Sequence, residues 1–223
     1  MPNYTLKITF TSDQLKTLLA SETKVVLAKT SQGSNPNVVW QAFLPQQNNL
    51  ISWNDQYGIY ASHSPITNGT VLNQLAATPA GIPVGNLYSL QNSSAILGPI
   101  TGGQSGSFAI ANHITSKDFL TFGLYLNAVI NQSECTGNAI SATAVSMSET
   151  LYIKPPDTIH IWLASQVMGN TVLTPISSPV TQIKCSKKQH TIALQYDAVS
   201  GKFLNTASII HHKSSIQHTY TFL

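Results

Sequence analysis

Apolar and polar residues alternate along most of this chain in short runs, and the rhythm shifts to a helical spacing near its start. Tyr4–Phe10 sets Leu6, Ile8 and Phe10 against Thr5, Lys7 and Thr9, the pattern of a half-buried strand. Leu15, Leu18 and Leu19 then recur at helical spacing behind Thr11 and Ser12, either of which can cap a helix. Lys24–Lys29 (KVVLAK) resumes a strand. A second, short helix is expected at Val71–Ala77.

Elsewhere the chain reads as β-type runs between turn signals. The expected strands are Val38–Leu44, Leu50–Trp53, Gly58–Ser62, Leu87–Leu90, Ser107–Ala111 and Phe119–Ile130. They continue with Ala139–Ile153, Thr158–Ser165, Thr171–Thr174, Val180–Cys185, His190–Tyr196, Lys202–Ala207 and Gln217–Leu223. Pro79–Gly85 and Gly98–Gly106 read as exposed loops. Turn signals at intervals of about 8–12 residues predict an all-β fold. The expectation is an antiparallel β-sandwich with one short N-terminal helix, a single domain over residues 1–223.

A faint internal echo bears on its organisation. Ile59–Ser62 followed by Asn68–Leu72 resembles Trp162–Ser165 followed by Gly169–Leu173, and Leu87–Gln91 resembles Thr191–Gln195. Offsets of about 100 residues suit two related halves, too few units for a solenoid. Chance similarity in a chain rich in Ser, Thr and Asn is the competing explanation.

Charge narrows the possible functions. Residues 56 to 116 contain no Asp, Glu, Lys or Arg, and only 9% of the chain is charged. All 11 cations are lysine, so the planar bidentate group that grips phosphate is absent. Lys184, Lys187 and Lys188 form the one basic cluster, which reads as a solvated turn, and nucleic acid is not an expected partner. Cys135 and Cys185 are too few for a disulfide-built secreted domain and read as free thiols. No signal peptide and no long apolar span is visible in MPNYTLKITF or beyond. The expected location is cytoplasmic as synthesised, with release by a non-classical route open. The sequons at Asn3, Asn68, Asn92 and Asn131 then follow from composition alone.

Signals for catalysis are weak. The segment Gly103–Ser107 lacks the nucleophile-elbow spacing, and no P-loop or Rossmann glycine pattern occurs. His63, His113, His160, His190, His211, His212 and His218 are scattered, and only His218 with His211 or His212 suggests a metal pair across a hairpin. His160 alternates with Ile159 and Ile161 and reads as a surface or satisfied core histidine. Asp13, Glu22, Asp55, Asp118, Glu134, Glu149, Asp157 and Asp197 are thinly spread, short of a calcium loop. No catalytic residue, metal or cofactor is expected, and the chain is read as a non-enzyme.

The densest local constellation is Ile51–Tyr60. Trp53, Tyr57 and Tyr60 offer rings for stacking on a sugar, while Asn54, Asp55 and Gln56 offer amide and carboxylate partners for hydroxyls. The competing reading is an ordinary hairpin with Trp53 and Tyr60 in the core and Asn54-Asp55 at the turn. Lectin-like binding of a glycan or other cell-surface ligand is the leading expectation. A membrane-damaging variant would store Ala95–Ala111 as a hairpin. The alternative is a self-assembling structural protein, since near-neutral surfaces and many strand edges favour homo-oligomers.

Overall fold

The computed structural model describes residues 3–30, 35–92, 94–173, 176–186 and 190–206. The expected strand at Gln217–Leu223, the possible metal pair of His218 with His211 or His212, and the lysines at 187 and 188 lie outside them. The chain opens with β1 (Asn3–Thr9), α1 (Ser12–Ala20), β2 (Lys24–Thr30), β3 (Gln41–Phe43), β4 (Asn48–Asn54) and β5 (Gly58–Ser62). Then come β6 (Gln74–Ala77), β7 (Leu87–Leu90), β8 (Ile96–Ile100), β9 (Phe108–Asn112), β10 (Phe119–Ile130) and β11 (Ser133–Ala139). The last described elements are β12 (Thr143–Ser146), β13 (Thr150–Ile153), β14 (Thr158–Ala164), β15 (Thr181–Lys184), β16 (Thr191–Asp197) and β17 (Lys202–Asn205).

Over the described residues the architecture is all-β with one short helix, α1, in several sheets that pack as layers without closing into a barrel. One sheet runs β17-β16-β1-β4-β10-β5-β6, with β11 and β12 also on β10; the others run β13-β9-β7-β8 and β15-β14-β2-β3. Pairing is antiparallel except for β1 with β16 and β7 with β9. One apolar core joins all three sheets, from Leu6, Ile8, Leu27 and Ile51 to Phe108, Ile110, Phe122, Ile159 and Leu194. The helix starts at a capping box: the Gln14 backbone N–H donates to the Thr11 hydroxyl, and the Thr11 backbone N–H donates to the Gln14 side chain. Leu18 is the buried residue of that helix.

Two local expectations are overturned. Val71–Ala77 is not a helix: Val71 makes an isolated bridge to Thr171, and Leu75, Ala76 and Ala77 lie on β6, which pairs with β5. Ala95–Ala111 is not a hairpin, because β8 and β9 lie on opposite sides of β7 and do not pair with each other.

The pairing scheme of the early strands recurs among the later ones. β1 pairs antiparallel with β4 and parallel with β16, as β9 pairs antiparallel with β13 and parallel with β7. β2–β3 and β7–β8 are matched by β10–β12 and β16–β17. The pairs Gly58–Tyr125, Ile59–Leu124, Tyr60–Gly123 and Ala61–Phe122 correspond one for one to His160–Ala28, Ile161–Leu27, Trp162–Val26 and Leu163–Val25. The bridge joining Val71 to Thr171 links the two echoing Asn/Thr/Val/Leu segments directly. Bulk changes sides across these pairs. His160 faces Ala28, whereas Gly58 faces Tyr125, and a Cβ on Gly58 would fall inside that tyrosine ring.

Candidate functional site

Strand alternation decides which residues of the Ile51–Tyr60 constellation meet solvent. On β4, Ile51 and Trp53 point into the core while Ser52 and Asn54 point out. On β5 every residue is buried, because the strand is covered on both faces. Trp53, Tyr57 and Tyr60 are therefore interior residues, at 5%, 3% and 0% exposure. The open aromatic platform expected from the sequence does not form. Trp53 stacks on Tyr4 with centroids 5.4 Å apart and meets Trp40 edge-on at 5.6 Å. The Tyr60 hydroxyl donates to the Ser141 carbonyl at 2.8 Å.

Asn54 and Gln56 do reach a groove. It measures about 540 Å³ and lies along the outer faces of β1, β4, β10 and β11. Asn3, Ser52, Asn54, Gln56, Asn127 and Glu134 supply its polar lining, with Ala128 and Val129 as an apolar strip. Glu134 is the only formally charged side chain among the lining residues. Asn127 also accepts from the Gly137 backbone N–H at 2.8 Å, which fixes its amide. The β10–β11 hairpin, which forms one wall, has no counterpart in the repeated pairing scheme among the described residues. Its contribution was hidden in the sequence because Ser133–Ala139 carries little apolar alternation.

Half-buried Asp55 and buried Tyr57 belong to a second cluster, around the buried Lys29. That lysine is 2% exposed, although it sits on a strand in a chain whose charges are few. Its ammonium lies 5.6, 5.3 and 5.4 Å from the ring centroids of Trp40, Trp53 and Tyr57, within cation–π range of all three. Nζ donates to the Tyr57 hydroxyl at 3.3 Å, and that hydroxyl donates to Asp55 Oδ1 at 3.0 Å, with the Pro156 carbonyl a further acceptor at 3.3 Å. Nζ and Asp55 Oδ1 are 4.0 Å apart. Burial pushes the Lys29 ammonium below its ordinary value, opposed by Asp55. Burial, followed by the Asp55 charge, pushes the Tyr57 phenol up and Tyr4 up to about 12. The Cys185 thiol packs against the same core and is likewise pushed up by burial. A void of about 70 Å³ adjoins Lys29, Thr30 and Ser141. The sequence did carry a signal for this cluster, since Lys29 shares the strand face of Val25 and Leu27.

A third concavity, about 470 Å³, is bounded by Asn35, Asn37, His160, Leu173, Ile176 and Gln182. His160 is 3% exposed and shares a 3.0 Å hydrogen bond between Nε2 and the Thr30 hydroxyl, a satisfied core histidine. Its imidazole is held below its ordinary value by burial. Among the described residues no group of three or more His, Cys, Asp or Glu is placed to hold a metal, and no helix is long and apolar enough to cross a membrane. Cys135 and Cys185 are both free.

Compared with known proteins, the chain matches no family model, and no curated protein or solved structure matches it.

Proposed function

We propose that this protein is a non-enzymatic recognition module that binds a glycan or similarly hydroxyl-rich cell-surface ligand in the groove beside Asn54. The supporting observation is the groove's chemistry. Amides and hydroxyls, with one carboxylate, face outward along a space of about 540 Å³, inside the usual range of roughly 300–1,000 Å³ for small-ligand sites. Amides donate and accept at once, which suits hydroxyls that do the same. Apart from Gln56, which sits in the loop before β5, the backbone behind these groups is strand, which holds them in place. Stacking on the buried rings is not part of this reading; Ala128 and Val129 supply the apolar contact.

Glycan-array screening followed by calorimetry tests the proposal. Asn54→Ala and Asn127→Ala should each weaken binding by roughly tenfold, the effect of losing one or two hydrogen bonds to ligand. A silent array, or affinities unchanged in both variants, rejects it.

A second reading, ordered self-association, draws on the outer face of the β13-β9-β7-β8 sheet. Rows Tyr152–Ala109–Leu87–Ile100 and Thr150–Ala111–Ser89–Leu97 run across it without a formal charge. Tyr152, Ile100 and Leu97, on the edge strands β13 and β8, are about half exposed, while Ala109, Ala111 and Ser89 between them are buried. Light scattering on wild type and Leu97→Lys distinguishes this reading, since a concentrated monomer in both would remove it.

A further inference from the structure

The recurring pairing scheme gives the residues around Lys29 counterparts elsewhere in the same chain. Extended one residue past Gly58–Tyr125, the correspondence places Lys29, opposite Ile159, where Leu126 stands opposite Tyr57. Tyr4 and Trp53, paired on β1 and β4, correspond to Phe108 and Ile153, paired on β9 and β13. Trp40, whose N–H donates to the Leu27 carbonyl, corresponds to Ile140, whose N–H donates to that of Leu124. An aliphatic core with one phenylalanine thus occupies the same place where the other side has a lysine in an aromatic cage. The fold does not require the charge, and a buried ammonium is costly in its own right.

The ammonium itself is shielded, with the Lys29 side chain 1% exposed and the rings of Trp40, Trp53 and Tyr57 around it, while the Asp55 side chain is 33% exposed. The electrophile within reach of Nζ is the Asp55 carboxyl, with Oδ1 at 4.0 Å and the Tyr57 hydroxyl hydrogen-bonded to both groups.

We propose that Lys29 and Asp55 condense to an internal amide that staples β2 to the loop between β4 and β5. A proton passes from Nζ through the Tyr57 hydroxyl to the Asp55 carboxylate, converting the ion pair to amine and carboxylic acid. The Nζ lone pair attacks Asp55 Cγ, the C–N bond forms, and a nitrogen proton travels through the same hydroxyl to the departing oxygen. The C–O bond breaks and one water leaves. No oxidant, reductant or co-reactant takes part. Burial favours both the amine and the product, since the neutral amine avoids the desolvation penalty and the amide carries no charge. Tyr57, hydrogen-bonded to both reacting groups, is the catalytic residue that relays the proton. This inference does not depend on glycan binding.

Intact-mass spectrometry of the purified, folded full chain reads the reaction. The wild type should be one water lighter than its sequence requires, and tryptic digestion should yield the Lys29 and Asp55 peptides joined. Lys29→Met and Asp55→Ala should each show their full masses. Tyr57→Phe should slow condensation by roughly a hundredfold or more, as loss of a proton relay does. A wild-type chain that keeps its full mass after prolonged incubation overturns the proposal, whether or not any variant folds. A one-water loss that survives in both Lys29→Met and Asp55→Ala overturns it as well.

Discussion

His160→Gln offers a test of the interior electrostatics with a sign fixed in advance. The imidazole is 3% exposed, and the cavity beside it is lined by uncharged side chains, among them Asn35, Asn37 and Gln182. Burial lowers its proton affinity below the ordinary value of 6.5. Above that value both folded and unfolded chains hold a neutral ring, and the site's full contribution to stability is present. As pH falls below 6.5 the unfolded chain takes up a proton that the folded one refuses, so stability drops. One proton gives a slope of at most about 1.4 kcal/mol per pH unit, vanishing once the folded ring also protonates. Glutamine retains a group able to bond the Thr30 hydroxyl but cannot titrate. At pH 7.5 the variant should be less stable by about 1–2 kcal/mol from lost packing. The gap should then narrow as the pH is lowered. Urea denaturation followed by tryptophan fluorescence between pH 7.5 and 5 measures it, with Trp162 beside the site as reporter. Every other histidine is present in both proteins and cancels. A stability difference that stays flat across the window would refute the argument.

Two further substitutions probe packing. Gly58→Ala drives a Cβ into the Tyr125 ring and threatens the 2.6 Å hydrogen bond from the Tyr125 hydroxyl to the Thr78 carbonyl; a loss of about 1–3 kcal/mol is expected in urea unfolding, and a change under about 0.5 kcal/mol would contradict the contact. Trp53→Ala empties a core position between Tyr4 and Trp40 and should cost about 3–5 kcal/mol, with a weakened near-ultraviolet circular dichroism signal. If that variant instead keeps wild-type stability while losing ligand, Trp53 contacts the ligand after all.

Legibility varied with how far local alternation determined the environment. Gly58–Ser62, Leu87–Leu90 and Phe119–Ile130 are strands with the bounds read from the sequence, because turn signals flank continuous β-type runs. β8 was read as part of a loop because Gly98-Pro99 breaks its pattern, although Ile96 and Ile100 still pair with β7. Leu72, Leu75 and Ala76 mimic a helical stripe, and the pairing of Ala76 with Ala61 overrides it. At the constellation, alternation along β4 separated Trp53 from Asn54, but sequence could not show that β5 is covered on both sides. Trp53 and Tyr60 lie in the core as the competing reading has them, but β4 and β5 are not a hairpin, because β10 lies between them, and Asn54 and Gln56 stand at a groove walled by the β10–β11 hairpin. The cage around Lys29 draws on β2, the segment before β3, β4 and the approach to β5, a convergence no local window contains.

The parallel ladder between β1 and β16 has a mechanical consequence. Thr5 to Thr9 lie beside Thr191 to Gln195 in the same direction, so opposing forces applied at Asn3 and Asp197 would slide the strands lengthwise. The rungs would then share the load rather than part in sequence as in a hairpin pulled open from its free ends. Tension on the chain should first peel away β17, joined to β16 as an antiparallel hairpin, and then meet a stiff clamp.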